Sequence, residues 1–273
     1  MDPQPTPRPA RRSAVRFTLG KEYHTMRRHL RWILGRQRLG AVRPESLGVE
    51  VATHATPLMR RLRGVDMRLQ EGKVVNLHLA TAAMNGWMLA PGEVFSFWRA
   101  IGRPTPRKGY RPGMILINGT LHAGTGGGLC QLSNLIHWLT LHTPLTVIER
   151  HRHNYDVFPD VDRVLPFGSG ATCFYNYGDL VIRNTTSRPF QLRVEVGETD
   201  LTGGWYSDRP GDVTYRVVER AHIIRGEVWG GFTRHNVLVR EVLARDGTLL
   251  GEEFMLENHA IMMYSPLLPP APV

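Results

Sequence analysis

The chain has 273 residues, 42% hydrophobic and 21% charged, which describes a globular protein with one large domain, or one plus a small appendage. Two cysteines exclude a disulfide framework and leave one Cys130–Cys173 bridge open, while the lack of an 18-residue apolar run or a leader-type h-region leads to the expectation of neither a transmembrane helix nor a signal peptide. A formal net charge of +10 favours an anionic partner such as an acidic glycan or membrane surface; no recognition helix, zinc finger or aromatic RNA-binding signature is present, so nucleic acid is not expected. Cytoplasmic residence is the resulting expectation.

In chain order, residues 1–20 read as a disordered basic, proline-rich tail, and 21–57 as a basic amphipathic helix followed by a linker. Within 21–39, Met26, Leu30, Ile33 and Leu34 recur at helical spacing among Arg27, Arg28, Arg31, Arg36 and Arg38. Such a helix suits peripheral contact with an anionic bilayer; the plainer expectation is docking on the main domain with the arginines in solvent. A main domain spans 58–265, and 266–273 is a second proline-rich tail.

An apolar stripe from Val75 to Met88 predicts a helix ended by Asn85-Gly86 or Pro91-Gly92, and Val94–Trp98 a short strand. Met114–Ile117 reads as a strand leading to a hairpin turn at Asn118-Gly119. Gln131–Leu141 reads as a helix with Cys130 at its first turn, and Thr146–Ile148 as a strand running into a histidine cluster. Beyond Pro166 the chain is strand-rich, at Leu180–Arg183, Phe190–Val196, Val213–Val218 and Asn236–Leu243. This order is α+β, with helices in the N-terminal half and strands in the C-terminal half.

The most informative segment is Gly126-Gly127-Gly128-Leu129-Cys130-Gln131, which delivers a thiol from a glycine turn into a helix start. Free N–H groups and the positive helix end at such a place lower a thiol pKa and favour an anion. Some twenty residues on, Glu149-Arg150-His151-Arg152-His153 gathers titratable groups, and a Cys with a His elsewhere in the chain is a candidate nucleophile and base. A packed cysteine on a purely geometric turn is the plainer alternative.

These segments carry a resemblance. Pro91-Gly92-Glu93-Val94-Phe95-Ser96-Phe97, Gly126 to Gln131, Glu149-Arg150-His151, Phe167 to Thr172, Asn176 to Leu180 and Glu257 to Tyr264 together resemble the VanW family over roughly residues 58–264. The resemblance implies a link to glycopeptide resistance and to peptidoglycan metabolism. Many relatives look membrane-anchored and exported, and this chain departs from them in showing no such anchor.

The leading mechanism is cysteine-dependent acyl transfer on a peptidoglycan-like peptide, by amide hydrolysis or transpeptidation. Cys130 attacks a carbonyl and His151 or His153 moves the proton. Asp156, Asp160 or Asp179 orients the imidazole, and Gln131 with helix N–H groups stabilises the oxyanion. A polysaccharide lyase is the second enzyme class, with His151, His153, Tyr155 or Tyr177 moving protons and arginine neutralising a uronate. Alternatively the domain only binds: Gly126, Gly127 and Gly128 hold an anionic ligand while Arg150, Arg152 and Arg163 hold a glycan or lipid phosphate. Cys130, His151 and His153 make a poor zinc set without a CxxC pair or HExxH helix, so neither a metal nor another cofactor is called for.

Overall fold

Ser13 caps the first helix by accepting from the Arg16 amide at 3.3 Å, and α1 runs Ala14–Leu34. The computed structural model describes residues 13–59, 66–117, 119–157 and 165–267. Most of the N-terminal tail, the C-terminal tail from residue 268, Asn118, Asp160 and Arg163 lie outside the described residues. Residues 13–20, expected as tail, are instead the start of α1.

The stretch taken for a linker contributes β1 (Ala41–Val42) and β2 (Val49–Pro57). Asp66 then caps α2 (Met67–Met84) by accepting from the Arg68 amide at 2.9 Å. The helix stops at Asn85 because Gly86, at φ 83°, turns the chain into β3 (Trp87–Leu89), so Met88 belongs to a strand and not to the helix. β4 is confined to Val94–Ser96; Ser96 accepts from the Arg99 amide at 3.2 Å and starts α3 (Phe97–Ile101), which removes Trp98 from the expected strand. The hairpin β5 (Pro112–Ile117) and β6 (Thr120–Thr125) forms where the turn was read. α4 (Cys130–Leu141), β7 (Thr146–Glu149) and β8 (Tyr155–Asp156) complete the first half.

The second half supplies β9 (Val181–Arg183), β10 (Phe190–Val196), β11 (Asp200–Ser207), β12 (Val213–Gly226), β13 (Phe232–Ala244) and β14 (Leu249–Met262). The expected strands at Val213–Val218 and Asn236–Leu243 are parts of longer ones, the first being the opening residues of β12. β2, β11 and β14 carry no clear alternation and are revealed only by pairing.

The chain is a mixed α+β domain. An antiparallel sheet of order β1-β3-β10-β11-β2 receives α2 against β10 and α4 against β11 and β2. Leu77, Ala80 and Met84 of α2 and Leu132, Leu135, Ile136 and Leu139 of α4 bury with Phe95, Phe190, Leu192 and Trp205 in one core. Each of the Leu, Ile, Met and Phe side chains among these contributes about 1.5–3 kcal/mol through its burial. A smaller sheet, β4-β9-β7, sets the end of β7 beside that core, and β12-β13-β14-β8 forms a long antiparallel extension with β8 parallel to β14.

Candidate functional site

Cys130 is the first residue of α4, as its sequence context predicts, yet its surroundings differ from those of an activated thiol. The residue keeps partial exposure, but burial around the sulfur pushes the thiol pKa up, and a hydrogen bond with the Cys173 backbone lowers it less. Cys173 is buried and its thiol is pushed up further; both cysteines are free. Gly126 (φ 75°) and Gly128 (φ 89°) need positive φ, but the close approach they allow is to the protein itself. A Cβ on Gly127 would overlap the Gly113 backbone, and one on Gly128 the Lys73 stem.

The polar groups of this turn are committed internally. The amides of Gly126, Gly127 and Gly128 donate to Arg111, Gly124 and Met114 carbonyls at 3.0, 2.9 and 2.8 Å. Asn76 of α2 fastens the turn by donating to the Gly127 carbonyl at 2.9 Å. At the helix start, Gln131, Leu132 and Ser133 amides close onto Gly128 and Leu129 carbonyls. The Gln131 side chain donates to Thr56 Oγ1 (3.0 Å) and the Pro57 carbonyl (2.8 Å). An anion or oxyanion therefore meets no free donor among these groups.

Residues 151–153 follow β7 in an irregular segment, not on a strand face. His151 Nε2 lies 3.1 Å from Glu149 Oε1, and among the described residues no hydrogen bond joins Cys130 to His151 or His153. Burial alone would raise the Glu149 pKa, but hydrogen bonds from His151 and from Arg28 of α1 outweigh it and hold the carboxyl at about 2. Arg28 grips both carboxylate oxygens, one at 2.7 Å, and is itself buried. Glu149 thus serves as an ion-pair partner, for an arginine 121 positions upstream rather than for the adjacent Arg150. No spacing signal in the sequence announces that pair.

His153 packs edge-on to Phe174, whose ring stacks on Tyr177 with centroids 5.7 Å apart and planes 3° from parallel. Tyr177 is 36% exposed, and burial of its hydroxyl raises its pKa, so it keeps its proton. Asp179 is fully buried beside this cluster, its pKa raised by burial to about 6 although Ser96 Oγ donates to it at 2.5 Å. With the Trp98 amide at 3.1 Å it holds the start of α3. Asp156 is remote in role: buried on β8, it pairs with Arg234 at 3.3 Å and accepts from the Tyr264 hydroxyl at 2.9 Å. Among the described residues no three His, Cys, Asp or Glu side chains converge on a metal position.

Arg150 is the unusual group. Its Nε donates to the Gly170 carbonyl at 2.9 Å and its Nη2 to the Gly168 carbonyl, which fixes the guanidinium. Burial, and then Arg152, lower its pKa to about 10, so it stays cationic at neutral pH. Among the described residues no carboxylate pairs with it; adjacent Glu149 is held by Arg28 and His151. Arg150 borders a cavity of about 440 Å³ lined also by His137, Leu145, Arg240 and Phe254. His137, buried with Nδ1 2.7 Å from the Ser169 carbonyl, is held neutral, with a pKa lowered by burial and by Arg150 to about 3. Arg152 is tied to the His259 carbonyl.

An α+β domain with a packed glycine turn ahead of Cys130 and a fixed cation at the end of β7 is thus the class defined by fold and site. The family model described as VanW like protein matches residues 72–206, which contain both features. The chain is 38% identical over 201 residues to the vancomycin B-type resistance protein VanW of Enterococcus faecalis, covering 74% of this chain and 73% of that protein. It therefore belongs to the VanW family. It is also 29% identical over 120 residues to the uncharacterized protein YoaR of Bacillus subtilis, covering 44% of this chain and 38% of that protein. No solved structure matches.

Proposed function

We propose that this VanW-family protein is linked to glycopeptide resistance and cell-wall metabolism as a binding domain for an anionic cell-wall precursor or glycan. The name of the Enterococcus relative supports the resistance link. One observation carries the binding role: Arg150 is fixed by two carbonyls, carries a charge no carboxylate neutralises among the described residues, and borders a cavity of about 440 Å³. Even half-buried, a cation without a counterion is costly, and a ligand carboxylate or phosphate offsets that cost with charge-assisted hydrogen bonds. The cavity volume falls in the ordinary range of small-ligand sites, about 300–1,000 Å³.

Isothermal titration with a disaccharide-pentapeptide muropeptide tests this. Arg150→Gln should weaken binding about tenfold or more, the loss of one charge-assisted contact, while Cys130→Ala leaves it unchanged. Acyl transfer keeps one supporting observation, the place of Cys130 at the first position of α4. Muropeptide turnover that disappears in Cys130→Ala, read by mass spectrometry, would replace the binding role with that chemistry. Slow alkylation of Cys130 by iodoacetamide at neutral pH, unchanged in His151→Ala, is the result expected of a desolvated thiol.

A further inference from the structure

α1 docks on the domain in the inverse of the usual amphipathic arrangement. Its inward face is largely polar: Thr25 and Arg28 are buried, Arg28 reaches Glu149, and His29 Nε2 lies 3.3 Å from the Tyr175 hydroxyl, with Trp32 the one apolar side chain there that packs on the core. Its outward face is apolar, with Val15 70%, Leu19 66%, Met26 57%, Leu30 48% and Ile33 75% exposed. At 100° per residue these five positions fall within about 60° of one another, a continuous stripe along the helix. Arg16, Arg27 and Arg31, all exposed, run along one border of that stripe, and among the described residues no ion pair neutralises them. Glu22 is the one acidic residue in the helix, and it faces Arg103 at 3.9 Å.

We infer that α1 is an interfacial membrane helix: docked through Arg28, it presents its apolar stripe and arginine border to an anionic phospholipid surface. Apolar area laid at the headgroup boundary and arginines beside anionic lipid act together, which is the chemistry of a peripheral helix and not of a spanning one. No helix among the described residues is long and apolar enough to cross a membrane. Charge favours lipid over a second copy of the chain, because α1 carries Arg16, Lys21, Arg27, Arg28 and Arg31 against the single acid Glu22, and bringing two copies together opposes like charge. The helix would then hold Glu149, at the end of β7, about one helix diameter, roughly 10 Å, from the bilayer surface.

Flotation of the full chain with phosphatidylcholine vesicles, with or without 30% phosphatidylglycerol, tests this inference. Binding is expected only to the anionic vesicles and should weaken with salt. Leu30→Asp with Ile33→Asp, and separately Arg27→Glu with Arg31→Glu, should each reduce the bound fraction about tenfold or more, because each removes one of the two attractions. All four side chains are exposed, so circular dichroism and the melting temperature should not change; Leu250→Asp, exposed on β14, is the control that should bind as the native chain does. Absence of binding to anionic vesicles, or equal binding by either double variant, would overturn the inference. A concentration-dependent dimer that Leu30→Asp with Ile33→Asp dissociates would instead assign the stripe to a second copy.

Discussion

The turn before α4 and the end of β7 both drew attention as charged or nucleophilic sequence, and they differ in what their polar groups are free to do. At the turn, three glycine amides, the Gln131 side-chain amide and the Gln131, Leu132 and Ser133 backbone amides have protein partners, and the thiol is desolvated. At β7, His151 is oriented by Glu149 with its side chain 41% exposed, and Arg150 keeps a charge that no side chain neutralises among the described residues. Glycine runs serve backbone approach whether the neighbour is a ligand or the protein's own chain, so a motif of this kind locates a constraint without naming its purpose.

The comparison breaks or sharpens most strongly at Gly127. Gly127→Ala should cost about 3 kcal/mol or more, because the added Cβ meets the Gly113 backbone, which cannot give way as a flexible side chain can. Denaturant midpoints measure this. If Gly127→Ala were as mild as Gly92→Ala, close packing would not be the role of the turn.

Titration of His137 is the next largest effect. Its folded pKa of about 3 against 6.5 means that stability is complete above pH 6.5 and falls as pH drops toward 3. Asp179 acts oppositely, since a carboxyl raised to about 6 from 3.8 disfavours the fold when ionised and restores stability as pH falls through that window. Glu149, held at about 2 against 4.5, contributes above pH 4.5 and loses its contribution only below it. His137→Gln, whose amide can still donate to Ser169, isolates the first effect. Between pH 6.5 and 5 the native chain should lose on the order of 2 kcal/mol relative to that variant, by urea unfolding at each pH.

Arg28→Ala should cost about 2 kcal/mol, less than for a fully buried pair because Glu149 keeps His151 and the Asp179 amide as partners. Amide exchange should rise selectively along α1, and unchanged exchange there would place the docking energy elsewhere. Gly92→Ala is the smallest effect at about 1 kcal/mol: its φ of 80° is strained for alanine, but nothing lies within 4 Å of the added Cβ.

The sequence by itself was enough for the α+β class, the family resemblance, the β5–β6 hairpin and the helix beginning at Cys130, because turn chemistry and local periodicity are written in neighbouring residues. It also supplied Arg150 as a ligand candidate, though not the reason, which is the carbonyl pair at Gly168 and Gly170 together with the lack of a counterion among the described residues. Only the tertiary structure decided the rest. β2, β11 and β14 are strands because partners receive their hydrogen bonds, Arg28 is buried because Glu149 lies opposite, and the apolar stripe of α1 faces outward because the face carrying Thr25, Arg28 and Trp32 was the one that docked. Periodicity marks the faces of a helix; which face meets the domain is settled by charge and shape contributed from more than a hundred residues away.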